Sequence, residues 1–461
     1  QPAWEVLQKW RKIPPALAHY RLREACGWEP APQREKFNQW LATSPSFVPL
    51  MPWAGKSTIP LDLSVGSLDL GNNENFLTIK SFAKTVDRIL AEAEADLGVG
   101  GYAEVRPFYT TDAYQVMGNA GAQWRTVHLG LDVWCAAETP VFAPLSGTVF
   151  SIADNAGERD YGPTIILEHK VSNSLTFYTL YGHLSRSSLA NIKAGQTVAA
   201  GQQIATIGPA PENGNWPPHL HFQIILDLLD NEQDFPGVAY PDERATWLSN
   251  CPDPQLFYLD LPQWPKTTLS VNEILPIRQQ KLGRSLSISY QQPLHIVRGF
   301  GAYLYDTDAR RYLDTVNNVA HVGHEHPKVV RAAQRQQAIL NTNTRYLHPN
   351  LVQFAQELIA TMPEELSVVH FVNSGSEANE LALRMAKTWS QQQDMIAIEV
   401  GYHGNTGACI DISSYKFDGH GGQGAPLHTH IVPMPDIFRG RYRGPHTAGQ
   451  LYANHIQEAI H

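Results

Sequence analysis

Five residues of this chain have the types and spacing of a metal site: His128 and Asp132 in HLGLD, His183 in YGHL, and His219 and His221 in HLH. Side chains alternate faces along a strand, so positions i and i+2, or i and i+4, point the same way. His219 and His221 can thus face one cavity, as can His128 and Asp132. Two neutral imidazoles and a carboxylate suit a zinc ion that keeps a fourth position open for water, the arrangement of a hydrolytic centre. A second stretch, FVNSGSEANE from Phe371 to Glu380, reads as a strand end, a small polar turn and a helix start. Such a helix offers free N–H groups and a positive dipole end, and Gly375 lets the backbone approach closely, which suits a phosphate group.

These residues need elements to hold them. From about Val105 to Asp227 the chain runs in short β-rich stretches punctuated by glycine, among them TPVFAPLSGTVFSI, GPTIILEHK, LTFYTLYGHL, QTVAAGQQIATIG and HLHFQIILD. That texture predicts an all-β domain. Lys80 to Leu97 sets Phe82, Val86, Ile89, Leu90, Ala93 and Leu97 on one helical face and predicts an amphipathic helix. Beyond Pro276, helices are expected at Lys328–Leu340, Leu351–Met362 and Glu377–Trp389, and strands at SVVHFV and MIAIEV. This alternation is the pattern of an α/β domain. The expected divisions are 1–55, a linker or the tail of a missing upstream domain; 56–250, the β domain; 251–274, a Pro-rich linker; and 275–461, the α/β domain.

A histidine taken alone is more often a packed core residue than a ligand. Here HLGLDVWCAAETPVFAPLSGTV, YGHLS, AGQTVAAGQQIATIG and PPHLHF follow in order, and the series resembles the lysostaphin-type (LytM-type) zinc metallopeptidases, with a motif core at 127–223. The resemblance implies zinc ligation by His128, Asp132 and His221. It implies that His183 and His219 orient or deprotonate the attacking water and stabilise the oxyanion, with imidazoles that titrate near neutrality. The substrate implied is a peptide or amide. One departure is GPAPENGNWPPHLHFQ, where the family more often has a glycine- and serine-rich turn before HxH and a glutamate after it. Asn213 to Pro218 would border the cleft and affect substrate choice. The alternative is a β domain that only binds or organises, beside a pyridoxal-phosphate enzyme.

Downstream, GAYLYDTDARRYLD, VGHEHPKVV, NTNTRYLHPN, NSGSEANE and GYHGNT resemble the class III aminotransferases of fold type I. NTNTRYLH, SSYKF and PMPDIFRGRYR are closer to the branch with ethanolamine-phosphate phospholyase. The cofactor implied is pyridoxal 5'-phosphate, with Ser374, Gly375 and Ser376 at its phosphate and Tyr402 stacked on its ring. A small amine or phospho-amine substrate and a homodimer through this domain are implied as well. In this family the aspartate for the pyridine nitrogen and the Schiff-base lysine lie downstream of the cradle, so the domain is expected to be truncated. Lys387 and Lys416 lack the family's context for that lysine.

Composition sets the outer bounds. The 461 residues, 43% hydrophobic, 17% charged and 10% aromatic, are those of a globular protein with several cores. A net charge of -9 without a basic stripe argues against nucleic acid and anionic lipid as partners. Cys26, Cys135, Cys251 and Cys409 form no CxxC pair, which disfavours a disulfide framework or a thiolate zinc site. No apolar run approaches the roughly 18 residues of a membrane span, and no signal h-region is present. A cytoplasmic location is the expectation.

Overall fold

Strict alternation of two kinds of residue builds the sheet that carries the site. In HLHFQII, Leu220, Phe222 and Ile224 enter one fully buried core, while His219, His221 and Gln223 face the other side. The computed structural model describes residues 14–109, 114–118, 121–258, 261, 269–316, 321–444 and 446–461. Residues 1–13 of the expected amino-terminal segment, and 259, 260 and 262–268 of the expected linker, lie outside the described residues. The described residues up to Leu340 form one compact unit, and those from Asn341 form a second.

The first unit is built on an eight-stranded sheet. Its strands are β1 (Thr58–Leu61), β2 (Leu97–Gly100), β6 (Leu131–Trp134), β8 (Gly147–Asn155), β9 (Gly162–Ser172), β10 (Leu175–Gly182), β11 (Thr197–Val198) and β13 (His219–Ile225). The order is β1-β2-β6-β13-β10-β9-β8-β11. Smaller two-stranded sheets pair β3 (Gln115–Gly118) with β4 (Gly121–Trp124), β5 (Val127–His128) with β14 (Val238–Ala239), and β7 (Pro140–Phe142) with β12 (Gln203–Thr206). Every ladder is antiparallel except β1 with β2. The sheet is therefore mixed, with one parallel pair at its β1–β2 edge and antiparallel ladders through the stretch from Val105 to Asp227 read as β-rich. The reason is the helix Ile79–Glu92 between β1 and β2, since parallel neighbours require a crossover. That helix ends before Leu97, which the sequence placed on its face: Glu94 turns left-handed (φ 50°) and Leu97 begins β2.

Val99, Leu131, Val133, Ile165, Leu167 and Tyr181 join Leu220, Phe222 and Ile224 on the apolar face. Burying each such side chain stabilises the unit by about 1.5–3 kcal/mol, and a one-residue slip would send the histidines into this core. Phe37, Trp40 and Phe47 from the amino-terminal side cover the same face, with Phe47 stacked on Phe257 at 3.9 Å. A three-stranded sheet of β15 (Ile296–Phe300), β16 (Tyr303–Asp306) and β17 (Arg311–Leu313) completes the unit. It is fastened by Arg298, which donates to the carbonyls of Val65, Ser67 and Gly71.

In the second unit the helices Pro349–Ile359, Gly375–Ser390 and Ala448–Ile460 accompany one parallel pair, β18 (Met395–Ile398) and β19 (Thr429–Val432). SVVHFV, expected as a strand, pairs with no other segment among the described residues. Val368, Phe371 and Val372 stay exposed, Val368 by 78%, because a parallel strand forms only with ladder partners and cover on both faces. The helix Gly375–Ser390 starts at the Ser374 cap, whose hydroxyl accepts from the Glu377 N–H at 3.2 Å. Glu377 in the first turn and Lys387 in the last suit its dipole.

Candidate functional site

His128, Asp132 and His221 meet on the polar face of the large sheet, all fully buried. Asp132 and His221 lie directly opposite each other on β6 and β13. His128 reaches them from β5, after a bend through Leu129 and Gly130, so it shares no strand with Asp132 as the i, i+4 argument supposed. Gly130 is required at that bend, because a Cβ there would come within 2.6 Å of the His221 ring.

The outer hydrogen bonds assign the tautomers. His128 Nδ1 donates to the Gly101 carbonyl at 2.8 Å, leaving Nε2 as a lone pair. His221 Nε2 donates to Gln223 Oε1 at 3.0 Å, and Gln223 is itself oriented by donating to the Pro236 carbonyl at 3.2 Å. The inner atoms are then His128 Nε2 and His221 Nδ1, 3.1 Å apart, with Asp132 Oδ1 at 3.3 and 3.0 Å from them. Three lone pairs converge with no proton among them. The separations are close to the edge of about 3.3 Å that a tetrahedron of 2.0–2.1 Å bonds to zinc would have. Burial, together with Arg106, lowers His128 to about 4, so it is neutral at pH 7. Burial opposes ionisation of Asp132, but the neighbouring imidazoles and the Arg106 guanidinium outweigh it and hold that carboxyl well below the usual range.

His183 and His219 form a second pair, with ring centroids 4.1 Å apart. His183 Nδ1 donates to the Asn213 carbonyl at 2.9 Å and His219 Nδ1 to the Pro217 carbonyl at 2.7 Å, so both present Nε2 lone pairs. His183 follows β10 in a left-handed conformation (φ 61°), held by hydrogen bonds to Tyr161 and Gly208. His219 stacks on Trp134 at 3.9 Å. Burial lowers His219 to about 4 and His183 well below its ordinary value, which departs from the near-neutral titration expected from sequence. Both rings are neutral acceptors at physiological pH.

All five residues line one cavity of about 200 Å³ with aromatic walls that include Phe108, Tyr161 and Trp216. The segment Asn213–Pro218, which the sequence placed at the cleft border, supplies Trp216 to the wall and carbonyls to both histidines of the second pair. Sequence reasoning missed Arg106 and Tyr161. Neither stands in a motif; each belongs to the site only through the fold.

In the second unit Ser374, Gly375 and Ser376 stand together at the helix start, and a Cβ on Gly375 would meet nothing within 4 Å. The loop after β18 packs there: Asn405 N donates to Ser376 Oγ at 3.1 Å, and Asn379 donates to the His403 carbonyl at 2.8 Å. Tyr402 on that loop is exposed, with Lys416 Nζ 5.5 Å from its ring centroid. The open backbone of a 16-residue helix start is a donor set that fits a phosphate.

Comparison with known proteins gives two family matches, Peptidase family M23 over residues 126–233 and Aminotransferase class-III over residues 287–457. The chain is 46% identical over 195 residues to the alanine–glyoxylate aminotransferase 2-like protein of Drosophila melanogaster, covering 41% of this chain and 40% of that protein. It is 41% identical over 179 residues to ethanolamine-phosphate phospho-lyase homolog 1 of Caenorhabditis elegans, covering 39% and 38%. Among solved structures, a phospholyase from Arthrobacter in complex with phosphoethanolamine is 31% identical, with a TM-score of 0.37 and coverage of 41% of this chain and 44% of that one. The chain spans less than half the length of these relatives. Among the described residues, no helix is long and apolar enough to cross a membrane.

Proposed function

We propose that the first unit is a zinc-dependent hydrolase of peptide or amide bonds, of the LytM type. The observation that carries this is the convergence of three buried lone pairs, from His128, Asp132 and His221, with no proton among them. A zinc ion there would supply Lewis acidity, making water acidic enough to ionise near neutral pH and polarising a carbonyl. The remaining work falls to the chain. His183 and His219, neutral and with Nε2 toward the cleft, accept the proton of the attacking water and return it to the leaving amine. Their carbonyl partners fix both tautomers, and the aromatic walls exclude bulk water. In a library of short peptides and amides, hydrolysis is expected to vanish on chelation and return with added zinc. Turnover that survives complete zinc removal would refute this reading.

The second unit, on the same proposal, holds the phosphate of pyridoxal 5'-phosphate at Ser374, Gly375 and Ser376, with Tyr402 against the ring. The wider assignment is an aminotransferase or phospholyase acting on small amines or phospho-amines, as a homodimer. Its support is the class III match and the names of the relatives. Gly375→Asp is expected to weaken cofactor binding at least about 10-fold through charge repulsion, while the helix, which favours acids in its first turn, keeps its circular dichroism. Equal cofactor affinity in both proteins, by absorbance titration, would place the phosphate elsewhere.

A further inference from the structure

Among the described residues Arg106 is the one fully buried guanidinium, it stands beside the three converging residues, and it lies outside residues 126–233, the span of the peptidase match. It is 1% exposed. Its Nη1 donates to Asp132 Oδ2 at 2.5 Å and to the Tyr109 hydroxyl at 3.1 Å. Its Nε donates to Glu104 Oε2 at 2.6 Å, while Glu104 Oε1 accepts from the Leu63 N–H at 2.8 Å. The backbone ties this group to the same ladder as His128: Arg106 N donates to the Thr126 carbonyl, His128 N to that of Glu104 and Ala103 N to that of His128. Gly100 opens the space, since a Cβ there would lie 2.8 Å from Arg106 Nη2.

A buried ion triad contributes little net stability, because desolvation offsets the attraction. Its effect on Asp132 is specific, however. One carboxylate oxygen, Oδ2, is taken up by Arg106, and only Oδ1 faces His128 and His221.

We propose that Arg106 is a positioning residue that makes Asp132 a one-oxygen ligand, and so biases the site toward a four-coordinate zinc over larger oxygen-seeking cations. The inference rests on the zinc reading of the site. A carboxylate free to give both oxygens suits ions that accept six or more ligands, whereas a single oxygen beside two imidazoles leaves a tetrahedral site with one open position. The arginine thus acts on the metal through Asp132.

The test uses the full chain in three forms: wild type, Arg106→Met and Arg106→Lys. Zinc and Mn2+ affinities are measured by competition with a chromophoric chelator, and coordination is read from the visible band of the Co2+-loaded proteins. Wild type should show the intense band of four-coordinate Co2+. Arg106→Met should bind zinc roughly 10–100-fold more weakly, as loss of an outer-shell partner does, with a fainter band and an increased preference for Mn2+. Arg106→Lys, which restores one donor to Oδ2, should recover part of both. X-ray absorption on zinc-loaded wild type is independent of how the variants fold and should show a single carboxylate oxygen at the metal. An Arg106→Met protein equal to wild type in affinity ratio and band, or wild-type zinc bound by both Asp132 oxygens, overturns the inference alone. Failure of wild type to bind zinc overturns the site reading, and this inference with it.

Discussion

His221→Ala is expected to abolish stoichiometric zinc binding at micromolar metal, and His128→Ala to do the same. Each removes one of only three protein ligands. The loss should exceed the roughly 10–100-fold that removal of an outer partner costs, because a direct bond to the metal is lost. The two imidazole nitrogens stand 3.1 Å apart in a buried site, lone pair against lone pair. Relief of that repulsion should leave the metal-free variants no less stable than metal-free wild type. Calorimetric titration with zinc gives the affinity, and thermal unfolding in chelator gives the comparison. Affinity within a few-fold of wild type in either variant would remove that histidine from the ligand set.

His183→Ala and His219→Ala are expected to behave oppositely, retaining zinc while hydrolysis falls by roughly 100-fold or more, the usual cost of losing a general acid–base group. Their Nδ1 atoms are committed to the carbonyls of Asn213 and Pro217, so only Nε2 is available to the cleft. Because burial holds His219 near 4 and His183 well below its ordinary value, both are unprotonated at neutral pH. Zinc content measured alongside turnover separates the roles. A variant with wild-type turnover contradicts the proton-transfer role, and one that loses metal is a ligand.

How much of this was legible beforehand depended on whether a residue's role is local. HLH is legible because His219 and His221 lie in one strand whose alternation sets the face. His128 and Asp132 come together in space, but through a bend at Gly130 and cross-strand pairing with β13, which spacing along a single strand does not describe. The parallel pair β1 and β2 was missed because TIPL and LGVG are four-residue segments without alternation, defined only by their partners. SVVHFV shows the converse: high β-propensity yields no strand without a ladder. In GYAEVRPFY nothing distinguishes Arg106 and Glu104 from surface charges. Their burial follows from a fold in which Gly100 leaves room for a guanidinium.

The central claim is that the first unit holds a zinc ion through His128, Asp132 and His221. Elemental analysis of the purified chain against its His128→Ala, His221→Ala double variant tests it most directly, after both are loaded with zinc and freed of excess metal on the same column. The account predicts about one zinc per chain in wild type and essentially none in the variant. Equal zinc in the two proteins would contradict it.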